Sequence, residues 1–171
     1  AEKGTLRPRC VVTEEYQSYL WNFSLRGGLA FSEQMMEGGA PREMQFEDYF
    51  EPVRPQLVEG FERPVYRAEI GEIELVMMRT KHIPEEVTSW RDSFWSCGLV
   101  IDGRVVYPGD TRFDRDLLDT FVTDRTEAIF HDCQSFVGGV HAGLDELRTL
   151  PSQMRARLWL LHLDYGMLKL D

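Results

Sequence analysis

The pattern of apolar residues changes at Val65, and this change restricts the fold more than any other feature of the sequence. From there, short apolar runs are separated by Gly71-Glu72 and by Asp102-Gly103. Asp-Gly between two apolar runs is typical of a tight β-hairpin turn, and Gly71-Glu72 indicates a second hairpin. After Tyr107, apolar strands alternate with helical segments. Two hairpins followed by strand–helix units predict a mixed α/β fold.

The predicted elements of this region begin with a hairpin over 65–70 and 73–78 and a second over 95–101 and 104–107. They continue with a helix over 114–121, a strand over 127–131, a helix over 142–150, a helical segment ending at 157 and a strand over 158–163. We find no internal repeat and no linker, so we expect one domain over 1–171.

The first third of the chain has weaker signals. Arg9-Cys10-Val11-Val12 predicts a short strand, and Thr13 followed by two acids predicts a helix start. Gly27-Gly28 is expected to end that helix. Residues 32–63 contain several Pro and Gly residues and predict a long connection or lid, with a short helix near 46–50.

Composition excludes several classes of protein. The 171 residues carry 29 acidic and 19 basic side chains, a net charge of −10, which argues against a sequence-independent grip on nucleic acid. No apolar run is long enough to span a membrane, and the first residues lack the apolar stretch of a signal peptide. Three cysteines without zinc or redox spacing favour reduced thiols in a cytoplasm.

Ligand-type side chains follow several predicted strands. His82, His131 and His162 lie at strand ends, and His141 follows Gly138-Gly139-Val140. Strand ends of α/β sheets present ligands to a shared edge, although a single histidine is more often satisfied by a backbone group. Asp110 follows Gly109 directly after an apolar strand. It is either a carboxylate of a functional site or part of an ordinary Gly-Asp turn.

The order of these residues resembles the second half of the metallo-β-lactamase-fold hydrolases, in the branch of ribonuclease Z-like nucleases and cyclic-nucleotide phosphodiesterases. The likeness covers residues 75–165 well and 5–30 loosely. It implies the C-terminal portion of an αββα fold, a mixed sheet with helices on its outer face and a second sheet from an N-terminal portion. It also implies that His82 binds one metal ion, that Asp110 bridges two and that His162 binds the other.

The same resemblance assigns an acid–base pair. In that branch a carboxylate and a histidine transfer a proton beside the metals, so Asp132 would orient His141, which would protonate the leaving oxygen. In this sequence Asp132 stands where that branch usually has Glu, and Asp132 and His141 are only nine positions apart. The alternative is that Asp132 caps a turn and His141 begins a helix.

The function implied by the resemblance is metal-dependent hydrolysis of a phosphodiester in RNA, DNA or a cyclic nucleotide. Two divalent ions, zinc first and manganese or iron as alternatives, would activate a hydroxide. The acidic surface favours small or single-stranded substrates. Trp90 is a candidate base-stacking residue and Arg91 a candidate phosphate contact, although an exposed arginine is often only solvated. The alternatives are hydrolysis of a thioester, lactone or β-lactam, and a non-catalytic binding or assembly module.

The signature His-x-His-x-Asp-His of these hydrolases is absent, since the first histidine of the sequence is His82. Three interpretations stay open: a piece of a longer protein, one half of a split enzyme with a partner chain supplying the other ligands, or a reduced non-catalytic module. Apolar surface meant for the absent half would also favour a homo-oligomer.

Overall fold

The computed structural model of the protein describes residues 6–31 and 42–163. The described residues form two compact units, one up to Gln56 and one from Leu57. Each unit has its own apolar core, and each is described here by itself. The expectation of one incomplete domain over 1–171 stays a prediction.

The first unit is built from short elements around Trp21 and Phe46. Its elements are strand β1 (Arg9–Val11), helix α1 (Glu14–Leu20), one π-helical turn (Trp21–Leu25), helices α2 (Arg26–Leu29) and α3 (Phe46–Tyr49), and strand β2 (Glu51–Val53). Strands β1 and β2 pair in parallel. Thr13 caps α1, as predicted, because its hydroxyl accepts a hydrogen bond from the Tyr16 amide at 3.1 Å.

Two expectations for this part of the chain are corrected. Gly27-Gly28 does not end the helix, which continues to Leu29, since a glycine lowers helix stability by only about 1 kcal/mol and does not force a stop. Strand β2 and the next strand, β3 (Gln56–Val58), fall inside the stretch predicted to be irregular, where Pro52 and Pro55 hide the strand pattern. Residues 32–41 of the predicted lid lie outside the described residues. A lid function for 32–63 stays a prediction.

The second unit is a seven-stranded sheet with three short helices. Its strands are β3 (Gln56–Val58), β4 (Val65–Ile70), β5 (Ile73–Arg79), β6 (Cys97–Ile101), β7 (Val105–Tyr107), β8 (Ala128–Asp132) and β9 (Leu158–Leu161). Its helices are α4 (Arg115–Phe121), α5 (Leu144–Arg148) and α6 (Ser152–Arg155). The strands lie in sequence order; β4 to β7 are antiparallel, and β7, β8 and β9 are parallel.

The mixed α/β class predicted from the sequence is confirmed. Both hairpins form at the predicted turns, with Asp102 and Gly103 in the left-handed conformation that a tight two-residue turn requires. The core lies on one face of the sheet, where Met78, Val106 and Ile129 are fully buried in the same cluster as residues of α4 and α5. The αββα arrangement is a finer statement than this architecture establishes.

Two further observations bear on the composition argument. Cys10, Cys97 and Cys133 are not joined in disulfides in this structure, and the reduced state of the thiols stays a prediction. Among the helices of the described residues, none has the length and apolar character needed to cross a bilayer. The cytoplasmic location stays a prediction.

Candidate metal-binding site

The three parallel strands of the second unit bring polar side chains to one edge of the sheet. Asp110 follows β7, Asp132 ends β8 and His162 follows β9. These strands are neighbours in the sheet and run in the same direction, so their carboxyl ends meet at one edge. The sequence placed His82, His131 and His162 at strand ends; of these, His162 lies at this edge with Asp110 and Asp132, and His131 lies within β8.

Asp110, His141 and His162 form a compact group of possible metal ligands. One ligand atom from each lies within 4.8 Å of the others. Nδ1 of His162 is 3.4 Å from Oδ1 of Asp110, and the rings of His141 and His162 have centroids 4.4 Å apart. Asp110 and His162 are about half exposed, and His141 is more buried. A group of this kind is open to solvent on one side and supported by protein on the other.

The backbone on both sides of this group has a left-handed conformation. Gly109 has φ +69°, and a Cβ there would lie 2.9 Å from the carbonyl oxygen of Cys97, so only glycine fits the turn before Asp110. His162 has φ 52°, which is unfavourable for a residue with a side chain. The fold therefore holds a strained residue at a position that supplies one of the three ligand groups.

Asp132 is buried behind His141. Its Oδ2 accepts a hydrogen bond from the Thr111 amide at 3.0 Å and lies 2.5 Å from Nδ1 of His141. Its Oδ1 is buried and accepts no hydrogen bond from the described residues, although Nδ1 of His131 is 2.9 Å away. A carboxylate beside Nδ1 fixes the tautomer of an imidazole and leaves Nε2 able to bind a metal ion. The structure thus brings together the pair predicted from residues nine positions apart; its proton-transfer role stays a prediction.

His82 lies beside the group. Its Nδ1 is 3.2 Å from the carbonyl oxygen of Val140, and its ring centroid is 5.3 Å from that of His141. The hydroxyl of Ser93 accepts a hydrogen bond from the His82 amide at 2.9 Å, which fixes the backbone at this point. His82 is therefore a neighbour of His141, and the structure does not include it in the three-residue group. Its assignment as a metal ligand stays a prediction.

Trp90 and Arg91 contact Glu62. The indole of Trp90 donates a 2.8 Å hydrogen bond to Oε2 of Glu62, Arg91 forms an ion pair with the same carboxylate, and the guanidinium lies over the indole ring at 4.4 Å. The hydrogen bonds from Trp90 and Arg91 lower the pKa of Glu62. These side chains are thus held by an acidic neighbour that the sequence analysis did not single out, and their role in substrate binding stays a prediction.

Sequence reasoning missed Gln134, which holds the loop that carries His141. Its backbone amide and carbonyl bond to Ala142 and Leu144, each at 2.9 Å, and its side chain donates to the carbonyl of Phe136 at 3.0 Å. A Cβ at Gly139 would lie 2.3 Å from the side-chain amide nitrogen of Gln134, so a larger residue there would displace that side chain. The adjacent glycines Gly138 and Gly139 were the available signal in the sequence.

Sequence reasoning also missed the full role of Thr111. Its amide bonds to Asp132, and its hydroxyl donates to the carbonyl of Lys81 at 2.7 Å, directly before His82 in the chain. The side chain is fully buried. Thr111 therefore joins the Asp110 turn to two other segments that carry site residues.

The donor set fits a divalent transition-metal ion. Imidazole nitrogen and carboxylate oxygen together suit such ions, and the carboxylate behind His141 is the usual outer partner of a metal-bound histidine. Three protein ligands leave coordination positions for water or for a ligand. The buried Oδ1 of Asp132 accepts no hydrogen bond from the described part of the chain, so this carboxylate has an acceptor position left unused behind His141.

Comparison with known proteins gives the family. The family model described as Anti-Pycsar protein Apyc1 matches residues 2–171. The chain belongs to this family. The Anti-Pycsar protein Apyc1 of Bacillus phage vB_BsuM-Goe3 is 35% identical over 163 residues, which are 91% of this chain and 56% of the relative. The Anti-Pycsar protein Apyc1 of Paenibacillus harenae is 30% identical over 96% of this chain and 58% of its own length.

A third relative, the Anti-Pycsar protein Apyc1 of Bacillus phage 010DV004, is 37% identical over 86% of this chain and 52% of its own length. The chain therefore spans about half the length of the curated relatives that it matches. What those relatives do as whole proteins is a matter of proposal for this chain.

The family assignment and the function drawn from the residue order are corrected by these matches. The assignment to a piece of a ribonuclease Z-like or phosphodiesterase metallo-β-lactamase hydrolase was wrong: the match is to Anti-Pycsar protein Apyc1. The relatives' names do not support hydrolase, phosphodiesterase or zinc, and they agree better with the alternative of a binding or assembly module. Ligand-type residues at strand ends recur in many metal sites, so their order alone does not fix a family or a reaction.

Proposed function

We propose that this chain carries a ligand-binding site of an anti-Pycsar protein and that the site holds a divalent transition-metal ion between Asp110, His141 and His162. The family supports the first part of the proposal. The observation that carries the second is the approach of three ligand atoms to within 4.8 Å at one edge of the sheet. His141 is oriented for this role by Asp132, which is itself held by the Thr111 amide.

The bound ion would supply a positive charge in an otherwise acidic protein. Its free coordination positions would bind an oxygen-rich or anionic ligand, which the net charge of −10 would otherwise repel. His82 lies beside His141 and would contact such a ligand or a second ion. Of the two imidazole rings, that of His141 is held in orientation by the buried carboxylate of Asp132.

The experiment is a Co²⁺ titration followed by absorbance and by calorimetry. We expect Asp110→Asn and His162→Ala to lower Co²⁺ affinity about 10-fold or more, the loss expected when a ligand or its support is removed. Asp124→Asn is the matched control, because Asp124 is an exposed aspartate outside the group. Equal Co²⁺ affinity in all four proteins would overturn the metal site.

A second assay separates this proposal from a module that acts without a metal ion. Cells that carry Pycsar are supplied with the wild-type chain, with Asp110→Asn or with Asp124→Asn, and protection against Pycsar is scored. We expect Asp110→Asn to lose the effect and Asp124→Asn to keep it. Full effect in Asp110→Asn would favour the non-catalytic assembly module, for which Asp110 has no role.

A further inference from the structure

The segment that joins β5 to β6 carries three of the candidate site residues and contains neither helix nor strand. We call residues 80–96 the β5–β6 loop. His82 lies near its start, and Trp90 and Arg91 lie further along it. Buried carbonyl groups of a loop without a strand ladder need donors from elsewhere, since an unpaired buried carbonyl is costly. Whatever supplies those donors also fixes where the three candidate side chains lie.

Arg79, the last residue of β5, supplies several of these donors. Its side chain is buried, and the residue is 6% exposed. Its guanidinium donates to the carbonyl oxygens of Trp90 and Ser93, each at 3.2 Å, and to that of Ser96 at 3.4 Å. The same group lies over the ring of Trp95, 4.4 Å from its centroid. A planar guanidinium with five N–H donors in a fixed fork can hold three separate points of a backbone at once.

Ser93 connects the guanidinium to His82. The carbonyl of Ser93 accepts the hydrogen bond from Arg79, and its hydroxyl accepts one from the His82 amide at 2.9 Å. A second link joins the same two stretches of chain, because the Phe94 amide donates to the carbonyl of Ile83 at 2.9 Å. The two ends of the loop are therefore tied together at the residue that carries the His82 ring.

The His82 ring contacts the loop that carries His141. Nδ1 of His82 is 3.2 Å from the carbonyl oxygen of Val140. A carbonyl oxygen accepts hydrogen bonds and does not donate them, so in the neutral ring Nδ1 carries the proton and Nε2 keeps its lone pair. The ring centroids of His82 and His141 are 5.3 Å apart. The contact with Val140 thus selects one tautomer of a histidine beside the candidate metal-binding site.

We infer that Arg79 is a positioning residue, which fixes the β5–β6 loop so that His82 keeps the Nδ1–H tautomer beside His141. Arg79 acts through Ser93 and His82 and not by contact with a ligand. The inference rests on the proposed function, in which His82 contacts the ligand or a second ion. The tautomer of His82 can be measured without a metal ion, so the two proposals can fail separately.

The first experiment measures the ring nitrogens of His82 in the metal-free chain by long-range ¹H–¹⁵N spectroscopy. It is done at about pH 8, above the ordinary imidazole pKa of about 6.5, and His82→Ala assigns the signals. We expect the wild-type chain to show the Nδ1–H tautomer. Arg79→Lys keeps the charge but cannot hold three carbonyls, and Ser93→Ala removes the hydroxyl that binds the His82 amide. Both variants should shift the tautomer ratio several-fold toward Nε2–H.

The matched control is Arg157→Lys. Arg157 also donates to three backbone carbonyls, but it lies at the end of β9 away from the candidate site. Arg157→Lys should lower the free energy of unfolding in a urea titration and leave the His82 tautomer unchanged. An unchanged tautomer in Arg79→Lys or in Ser93→Ala would overturn the inference, as would an equal change in Arg157→Lys. Ser93→Ala leaves the guanidinium in place, so it tests the link to His82 even where Arg79→Lys does not fold.

The second experiment measures binding of inorganic phosphate to the Co²⁺-loaded chain by calorimetry. His82→Ala and Arg79→Lys should each lower phosphate affinity about 10-fold, the loss expected for one hydrogen bond to a charged ligand. The double variant should lose no more than His82→Ala alone, because Arg79 acts through His82. Additive losses would overturn the inference. A wild-type chain that binds no Co²⁺ would overturn the proposed function, while the tautomer measurement would still decide the role of Arg79.

Discussion

Asp132 and His141 show how far single residues could be interpreted before their environment was known. Both were singled out from the sequence, and the structure places them 2.5 Å apart. Their contact could not be derived from spacing alone, because nine residues can extend away from a strand as easily as fold back. The backbone hydrogen bonds of Gln134 with Ala142 and Leu144 return the loop to the strand end, and this brings His141 to Asp132.

Thr111 should influence the site through two neighbours. Thr111→Val keeps the shape and the amide but removes the hydroxyl that donates to Lys81, next to His82. We expect a loss of about 1–2 kcal/mol in the free energy of unfolding, typical of a buried hydrogen bond, and weaker Co²⁺ binding. Thr111→Ser keeps the hydroxyl, so it should retain the free energy of unfolding, measured by urea titration, and the Co²⁺ affinity, measured by calorimetry.

The matched control for this variant is Thr120→Val. Thr120 also donates from its hydroxyl to a backbone carbonyl at 2.7 Å, but on the exposed side of α4. It should leave Co²⁺ affinity unchanged. If Thr111→Val bound Co²⁺ as tightly as the wild-type chain, Thr111 would have only a structural role.

Cys97 should react slowly with alkylating reagents near neutral pH. Burial raises the pKa of its thiol, and the charge of Arg79 offsets only part of that effect. At a given pH the Cys97 thiol is therefore ionised less in the folded chain than in the unfolded chain. Its contribution to the free energy of unfolding is fully present below the unfolded pKa of about 8.5, and it is lost as the pH rises through the pKa of the folded state. The rate of iodoacetamide labelling of Cys97 between pH 7 and 10, followed by mass spectrometry, measures its reactivity. Labelling at pH 7.5 as fast as that of a short peptide with the same sequence would contradict it.

The secondary-structure elements differ in how well local chemistry specifies them. The two hairpins were predicted correctly because Asp102-Gly103 and Gly71-Glu72 determine their turns within a few residues. Strands β2 and β3 were missed because their short segments contain or adjoin prolines, and β2 also pairs with β1, which lies far from it in sequence. Local signals thus account for turns and caps, while strand partners and order in the sheet depend on contacts far apart in sequence.

Glycine substitutions in two elements should have opposite effects. Gly28 lies in a helix, and a Cβ added there would meet nothing within 4 Å, so Gly28→Ala should raise the free energy of unfolding by about 0.5–1 kcal/mol. Gly103 has φ +66° in the β6–β7 turn, so Gly103→Ala should lower the free energy of unfolding by about 1–2 kcal/mol. Urea denaturation followed by circular dichroism gives both values. Shifts of the same sign would show that backbone conformation does not control these positions.

At the scale of the whole molecule, net charge and exposed apolar surface have opposite effects on association. The net charge of −10 keeps molecules apart near neutral pH, while exposed apolar side chains of the sheet such as Tyr107, Trp159 and Leu161 favour association. We expect the chain to associate as the pH falls toward its sequence pI of about 4.9, and as added salt screens the charge at pH 7. Sedimentation velocity across pH and NaCl concentration measures this, with Trp159→Lys as the variant that should associate less. Association that is the same for Trp159→Lys would place the self-associating surface elsewhere.

The family and its activity lay beyond what the residues could specify. The resemblance assigned His82, Asp110 and His162 as metal ligands, whereas the structure groups Asp110 and His162 with His141. Which family uses the group was assigned wrongly, because a few ligand positions carry little information compared with a match over residues 2–171. The mixed sheet follows from the local patterns of the strands, whereas the family is shown only by that match over the chain.

The contact between Gly139 and Gln134 also limits the order in which this loop can change over generations. A side chain at position 139 would collide with the amide of Gln134, which already occupies that space. A larger residue at position 139 therefore displaces the Gln134 side chain, which then loses its hydrogen bonds with Phe136 and His141. A smaller residue at position 134 that arises first clears this space and keeps the backbone hydrogen bonds to Ala142 and Leu144, so the order of the two mutations decides whether the loop is disturbed on the way.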